Sequence, residues 1–206
     1  PHEAKEALAA AAEQGEMGDW EAAATLLSQA IRATEEATTQ FALMTELARL
    51  YEVNLDDTLR AERVYRRMRG IEPRSVIALG FYRDWDRLLD DPPRAFTLLA
   101  QLHDALEGTD LPEERVAIAM DMATLAQETL QSSEKGVDAW KRVLVDIPTH
   151  PQARRELRRL YTDLERWPAL AEHLDEWAQA LPEGERDRKV ALLFELIDLY
   201  QDPSRL

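Results

Sequence analysis

The 206-residue chain carries 40 acidic against 25 basic side chains, a formal net charge of −15, and 45% of it is hydrophobic. That hydrophobic fraction excludes wholesale disorder, and the charge repels phosphate backbones and anionic bilayer surfaces, so neither nucleic-acid binding nor membrane insertion is expected. There is no cysteine, which removes disulfides and thiolate metal sites and leaves the compartment open, the cytoplasm being favoured.

No run approaches the roughly 18 apolar residues of a membrane span, and no basic-plus-apolar secretion signal opens the chain. It begins at Pro1 without a methionine and ends at Gln201–Leu206, which reads as the turn into a further helix. The expectation is a piece of a longer array. Arginine far outnumbers lysine, present only as Lys5, Lys135, Lys141 and Lys189, and with the abundant Ala and Leu this suggests a GC-rich bacterial source.

Residues 3–15 are strong helix formers, punctuated by Gly15 and Gly18. Asp19 can cap a second helix, Trp20 to about Ala33, with Ala23, Leu27, Ala30 and Ile31 on one face. A second pair is predicted over 38–53 and 57–69. Its stripes are Leu43, Leu47, Leu50 and Tyr51, then Leu59, Ala61, Val64, Tyr65 and Met68. Gly70 and Pro73 end it.

A third pair is predicted over Arg74–Leu89 and Pro93–Glu107, with Asp91 capping and Pro92-Pro93 in the first turn. The fourth opens with a capping-box-like Asp110-Leu-Pro-Glu113 and runs through a long helix, 112–130. The turn at Ser132-Ser133 leads into 134–146. In the fifth, Thr149 with Gln152 can form a capping box. The stripe Ala153, Leu157, Leu160, Tyr161 and Leu164 is followed by Trp167-Pro168 and then by Leu170, Leu174, Trp177 and Leu181. An unpaired helix over 185–201 carries Leu192, Leu193, Leu196 and Leu199, expected to be poorly covered and to support self-association.

Corresponding positions at the start of the second helices are Ala23, Ala61, Ala95, Gly136 and Leu170, at gaps of 38, 34, 41 and 34. No such pair can bury its stripes alone, so the units must stack on one another. The chain resembles the tetratricopeptide repeat family. The matching residues are Gly18-Asp19-Trp20 before Ala23, Leu27 and Ala30, then Leu47, Tyr51, Ala61, Tyr65 and Pro73, and Leu157, Tyr161, Leu174 and Pro182. Gly136 and Leu170 stand where alanine is usual. The likeness covers nearly the whole chain. It implies an all-α, right-handed α-solenoid of about 11 helices in a single domain, with units at about 3–36, 38–73, 74–109, 110–149 and 150–184 plus the helix at 185–201.

No motif for chemistry is present. His2, His103, His150 and His173 lack metal-ligand spacing and are expected at the surface or in turns. There is no nucleophile elbow and no phosphate loop. Paired carboxylates such as Asp56-Asp57, Asp90-Asp91 and Glu113-Glu114 sit at helix starts, where the helix dipole favours them. Trp20, Trp85, Trp140, Trp167 and Trp177 are expected to pack in the core. Neither an enzyme nor a cofactor is expected.

The functional expectation is a protein-interaction scaffold that holds a peptide or helix of a partner. The alternatives are a purely architectural spacer and a regulatory array within a larger protein. The sharpest local feature is basic: Arg154, Arg155, Arg158 and Arg159 crowd one helix of an acidic chain. The resemblance implies that first helices line a concave groove, with Arg155 and Arg159 facing into it at i,i+4. There they could grip a carboxylate or phosphate. The full set of groove candidates is Arg49, Glu52, Asp84, Asp121, Arg155 and Arg159. A second arginine run, Arg60 to Arg74, is expected to pair with acidic neighbours.

Overall fold

The computed structural model describes residues 2–83, 90–202 and 205. Every regular element among them is helical, and the chain divides into two compact units, Pro1–Asp84 and Trp85–Leu206. The first holds α1 (His2–Glu16), α2 (Trp20–Ala33), α3 (Ala37–Arg49), α4 (Thr58–Ile71) and α5 (Val76–Gly80). The second holds α6 (Pro92–Ala105), α7 (Pro112–Thr124), α8 (Ser133–Asp146), α9 (Pro151–Asp163), α10 (Trp167–Ala180) and α11 (Arg186–Gln201). Within each unit, consecutive helices pack as antiparallel neighbours.

One turn device recurs inside the pairs. The residue ahead of the second helix's N-cap has a positive φ in Gly18 (79°), Asp56 (49°), Gln131 (47°) and Glu165 (53°). This left-handed conformation costs a non-glycine residue about 1–2 kcal/mol, which the flanking helices must outweigh. The N-cap amide then closes the turn. Asp19 donates to the Gln14 carbonyl and Arg166 to that of Tyr161, both at 2.9 Å. Asp57 and Ser132 reach one residue further back, to Tyr51 at 2.8 Å and Ala126 at 2.9 Å. These are the two pairs whose first helix ends in a π turn, Leu50–Asn54 and Leu125–Thr129. A π turn absorbs one inserted residue, which accounts for part of the excess in the 38- and 41-residue gaps.

The N-caps separate local from non-local prediction. Asp19, Asp57, Asp91 and Ser132 each accept the amide three residues on, at 3.0, 2.8, 3.1 and 3.3 Å. The capping boxes at Asp110 and Thr149 do not form. α7 starts after Leu111, which makes no cap bond, and α9 is capped by His150, whose Nδ1 accepts from the Ala153 amide at 3.3 Å. His150 is thus a turn histidine with a structural task.

The stripes bury as their spacing requires, each fully covered Leu or Met contributing about 1.5–3 kcal/mol. Leu27, Leu43, Leu47, Tyr65 and Met68 carry the core of the first unit; Leu99, Met122, Leu157, Leu174 and Trp177 carry that of the second. Leu59 is the exception, 76% exposed at the outer edge of the α4 stripe. The helix expected over Arg74–Leu89 is the short α5. Its chain turns at Gly80, and Phe81 and Tyr82 swing into the core, Phe81 stacking on Tyr65 at 4.5 Å. The rest of that expected helix, including Trp85 and Leu88, lies outside the described residues. Two glycines fix close approaches. A Cβ on Gly15 would sit 2.4 Å from the Trp20 ring, and one on Gly136 would sit 3.3 Å from a Leu160 methyl. An alanine at 136 would require the Leu160 side chain to give by a few tenths of an ångström.

The last helix corrects the sequence reading. Leu192 and Leu199 are buried against α10. The exposed apolar residues of α11 are Val190, Leu193, Phe194, Ile197 and Tyr200, one stripe at helical spacing.

Candidate functional site

α9 divides its four arginines between two faces. Residue 154 shares a helical face with Leu157 and Tyr161, three and seven positions on, so its side chain is carried into the interior. Arg154 is 3% exposed. Its Nε donates to the Pro148 carbonyl at 2.8 Å, and Nη1 meets His173 Nδ1 at 3.3 Å and the His173 carbonyl at 3.4 Å. His173, also buried, places Nε2 2.9 Å from the Arg154 carbonyl. A carbonyl only accepts, so Nε2 carries the ring proton and Nδ1 offers its lone pair to the guanidinium. Burial, and secondarily the Arg154 charge, push the His173 pKa down to about 4, against the pull of that carbonyl. The imidazole is therefore neutral at pH 7. Burial also pushes Arg154 below its ordinary value, with Glu176 opposing.

His173 and His103 thus overturn the expectation of surface histidines. His103 is 2% exposed and belongs to a polar knot across α6, α7 and α8. There Arg142 bridges Asp104 and Asp138, and Arg115 Nη1 lies 3.4 Å from Asp146 Oδ1. Burial, then the Arg115 and Arg142 charges, push the His103 pKa down. The signal for both histidines was their place on an apolar stripe: His103 follows Leu99 and Leu102, and His173 lies between Leu170 and Trp177.

The outward face of α9 holds the predicted pair. Arg155 is exposed and has no ion pair among the described residues. Arg159 is exposed but held on its own helix, by Glu156 at 2.9 Å and Asp163 at 3.0 Å. These partners raise its pKa, the hydrogen bond it donates to Glu156 foremost. The face is tied to both neighbouring first helices. Gln127, just past α7, donates to Glu156 at 3.2 Å, and Arg158 meets Glu195 of α11 at 2.8 Å.

The other candidates are placed differently. Arg49, in the first unit, pairs with Glu46 on its own helix at 3.0 Å. Glu52, in the π turn after α3, accepts from the Tyr65 hydroxyl at 3.1 Å. Asp121 is half-buried on α7. Asp84 lies outside the described residues. In the second arginine run, Arg60 joins α4 to α2 through Glu21 at 2.7 Å and also pairs with Asp57, while Arg66 pairs with Glu62 at 2.7 Å.

Behind α9, the space between α8 and α10 forms an open cavity of about 610 Å³. Leu144 of α8 and Leu157 of α9 supply apolar walls, Lys141 and Glu176 stand at the rim, and Arg154 and Tyr161 lie in the floor. No helix among the described residues is long and apolar enough to cross a membrane.

Antiparallel helix pairs, closed by a repeated left-handed turn and spaced 34 to 41 residues apart, define a tetratricopeptide-repeat-like fold. A solved tetratricopeptide repeat protein from Parabacteroides merdae is similar over 97% of this chain and 73% of its own, at 16% identity and a TM-score of 0.52. MamA from Desulfovibrio magneticus RS-1 is similar over 87% of this chain and 95% of its own, at 18% identity and a TM-score of 0.48. The first of these likenesses carries the fold. No protein-family model matches the chain, and no curated protein sequence matches it.

Proposed function

We propose that this chain is a protein-interaction scaffold whose second unit receives a partner segment on the side of its first helices, α7, α9 and α11. The observation that carries this reading is the outer face of α9. It presents a solvated guanidinium, Arg155, beside the carboxylate-held Arg159, in a chain of net charge −15. Helical repeats stack first helices side by side and offer extended surfaces without doing chemistry on what they hold. Arg155 would anchor an acidic group of the partner, and Arg159 would join it by exchanging one of its two carboxylates. Asp121 of α7 is a further contact in this reading.

Affinity capture tests it, with the wild type and an Arg155→Glu/Arg159→Glu variant compared protein by protein by mass spectrometry. A partner retained by the wild type and reduced tenfold or more in the variant is the expected result. Equal retention would remove α9 from the site, and an empty capture would favour the architectural spacer.

A second reading is favoured by α11. Its exposed stripe of Val190, Leu193, Phe194, Ile197 and Tyr200 has the spacing that packs on another helix. A second copy meeting the same stripe by two-fold symmetry would cover it. Sedimentation of the wild type and of Phe194→Glu decides. A dimer abolished by the substitution supports the reading, and a monomer at high concentration overturns it.

A further inference from the structure

The cavity between α8 and α10 is built on a charged group that the rest of the fold does not fully use. Arg154 is buried, yet its contacts involve only Nε and Nη1. Nη2 makes no hydrogen bond among the described residues and is not among the sealed polar atoms, so it reaches the cavity. The Tyr161 hydroxyl is in the same position: the residue is 7% exposed, lines the cavity, and its oxygen is neither hydrogen-bonded nor sealed. Both donors open onto the cavity and its water, so a ligand's acceptor would take the place of solvent there. Two such donors therefore share one floor, below the apolar walls of Leu144 and Leu157.

The charge arrangement selects the sign of what would fill it. The imidazole beside Arg154 is neutral, so the guanidinium's charge is not cancelled there. The nearest carboxylate is that of Glu176, 3.6 Å from Nη1, on a side chain that is 59% exposed. That distance is beyond a hydrogen bond, and an exposed glutamate gives little when held so loosely. Glu176 also raises the Tyr161 pKa, second to burial, so its charge is felt at both donors. It occupies the approach as an internal substitute for an anion without satisfying either donor.

We infer that the cavity between α8 and α10 binds a carboxylate borne on an apolar body, with Arg154 Nη2 and the Tyr161 hydroxyl donating to the carboxylate and Leu144 and Leu157 covering the apolar part. A cavity of about 610 Å³ lies within the range of small-ligand sites. Either a free apolar acid or the C-terminal residue of a peptide presents this chemistry. The site lies apart from the outer face of α9 and does not rest on the scaffold reading.

Calorimetric titration of the intact chain tests this with four probes: octanoate, octanamide, a short peptide ending in leucine with a free C-terminus, and the same peptide amidated. Binding of octanoate identifies a free acid and binding of the free peptide identifies a chain terminus. In either case the matching amide binds at least tenfold more weakly. Tyr161→Phe, which keeps the ring packing, weakens the carboxylate about tenfold, and Glu176→Gln, which removes the competing charge, strengthens it several-fold. Neither variant removes the hydrogen bonds that Arg154 makes to Pro148 and His173. The inference is overturned if neither carboxylate binds, if amide and acid bind alike, or if both substitutions leave affinity unchanged.

Discussion

Two runs of arginines, on α4 and α9, look alike in the sequence and differ in how the fold treats them. On α4, Arg60 and Arg66 are met by carboxylates, and Arg60 ties α4 to α2 through Glu21. Each pair is open to solvent on its arginine side, although Glu62 is largely covered, so each contributes modestly to stability. On α9, Arg154 is carried inside and is met by a neutral imidazole and two carbonyls. The difference lies in helical phase. A guanidinium on the solvent face finds a carboxylate and becomes part of the surface. One on the apolar face is hydrogen-bonded by neutral acceptors, with only the loosely placed Glu176 as a carboxylate nearby, and forms part of a polar cavity lining.

Breaking the buried member should therefore cost most. Arg154→Met leaves the Pro148 carbonyl and His173 Nδ1 without their donor. We expect a loss of about 2–4 kcal/mol, read as a fall in Tm of roughly 5–15 °C. Arg66→Met on α4 should stay within about 0.5 kcal/mol of wild type in the same melt. Equal losses would erase the distinction.

Acid should act on the same contact. His173 has a folded pKa of about 4, lowered from an ordinary 6.5, so the unfolded chain binds its proton first as pH falls. The contribution is whole above about pH 6.5 and is lost progressively down to about pH 4. At roughly 1.4 kcal/mol per pH unit it totals about 3 kcal/mol. Denaturant melts across that window should show a steeper decline for the wild type than for His173→Gln, and parallel curves would contradict the assignment.

Smaller effects sharpen the packing side. Gly15→Ala places a methyl into the Trp20 ring and should destabilise the first unit by about 1–3 kcal/mol. Gly136→Ala meets only the movable end of Leu160 and should cost less than Gly15→Ala, which paired thermal melts would read. The Arg155→Glu/Arg159→Glu variant should shift Tm least of all, because Arg155 has no ion pair among the described residues and the pairs of Arg159 are solvated.

Much of the helical framework was legible. The stripes of α2, α9 and α10 follow from spacing alone, and the caps at Asp19 and Asp91 follow from local chemistry. The left-handed turn was legible only at Gly18. Asp56, Gln131 and Glu165 adopt it through their context, and the π turns after α3 and α7 hide the register. The floor of the cavity was half-legible: 154, 157 and 161 share a face by arithmetic. A charged residue at 154 reads as surface unless its acceptor is known, and that acceptor, His173, lies across a turn on the next helix. Side-chain pairing between helices carries no mark in local sequence. The grip of Glu156 and Asp163 on Arg159 is local by contrast, at i−3 and i+4 on the same helix.

The most direct measurement is the nitrogen NMR spectrum of the His173 imidazole as a function of pH. A neutral ring protonated at Nε2, holding unchanged from pH 7 through pH 5 and titrating near pH 4, is the predicted result. Titration near 6.5, or a proton on Nδ1, would contradict the account of α9 as a helix that seats one arginine on a neutral histidine and leaves the others to solvent.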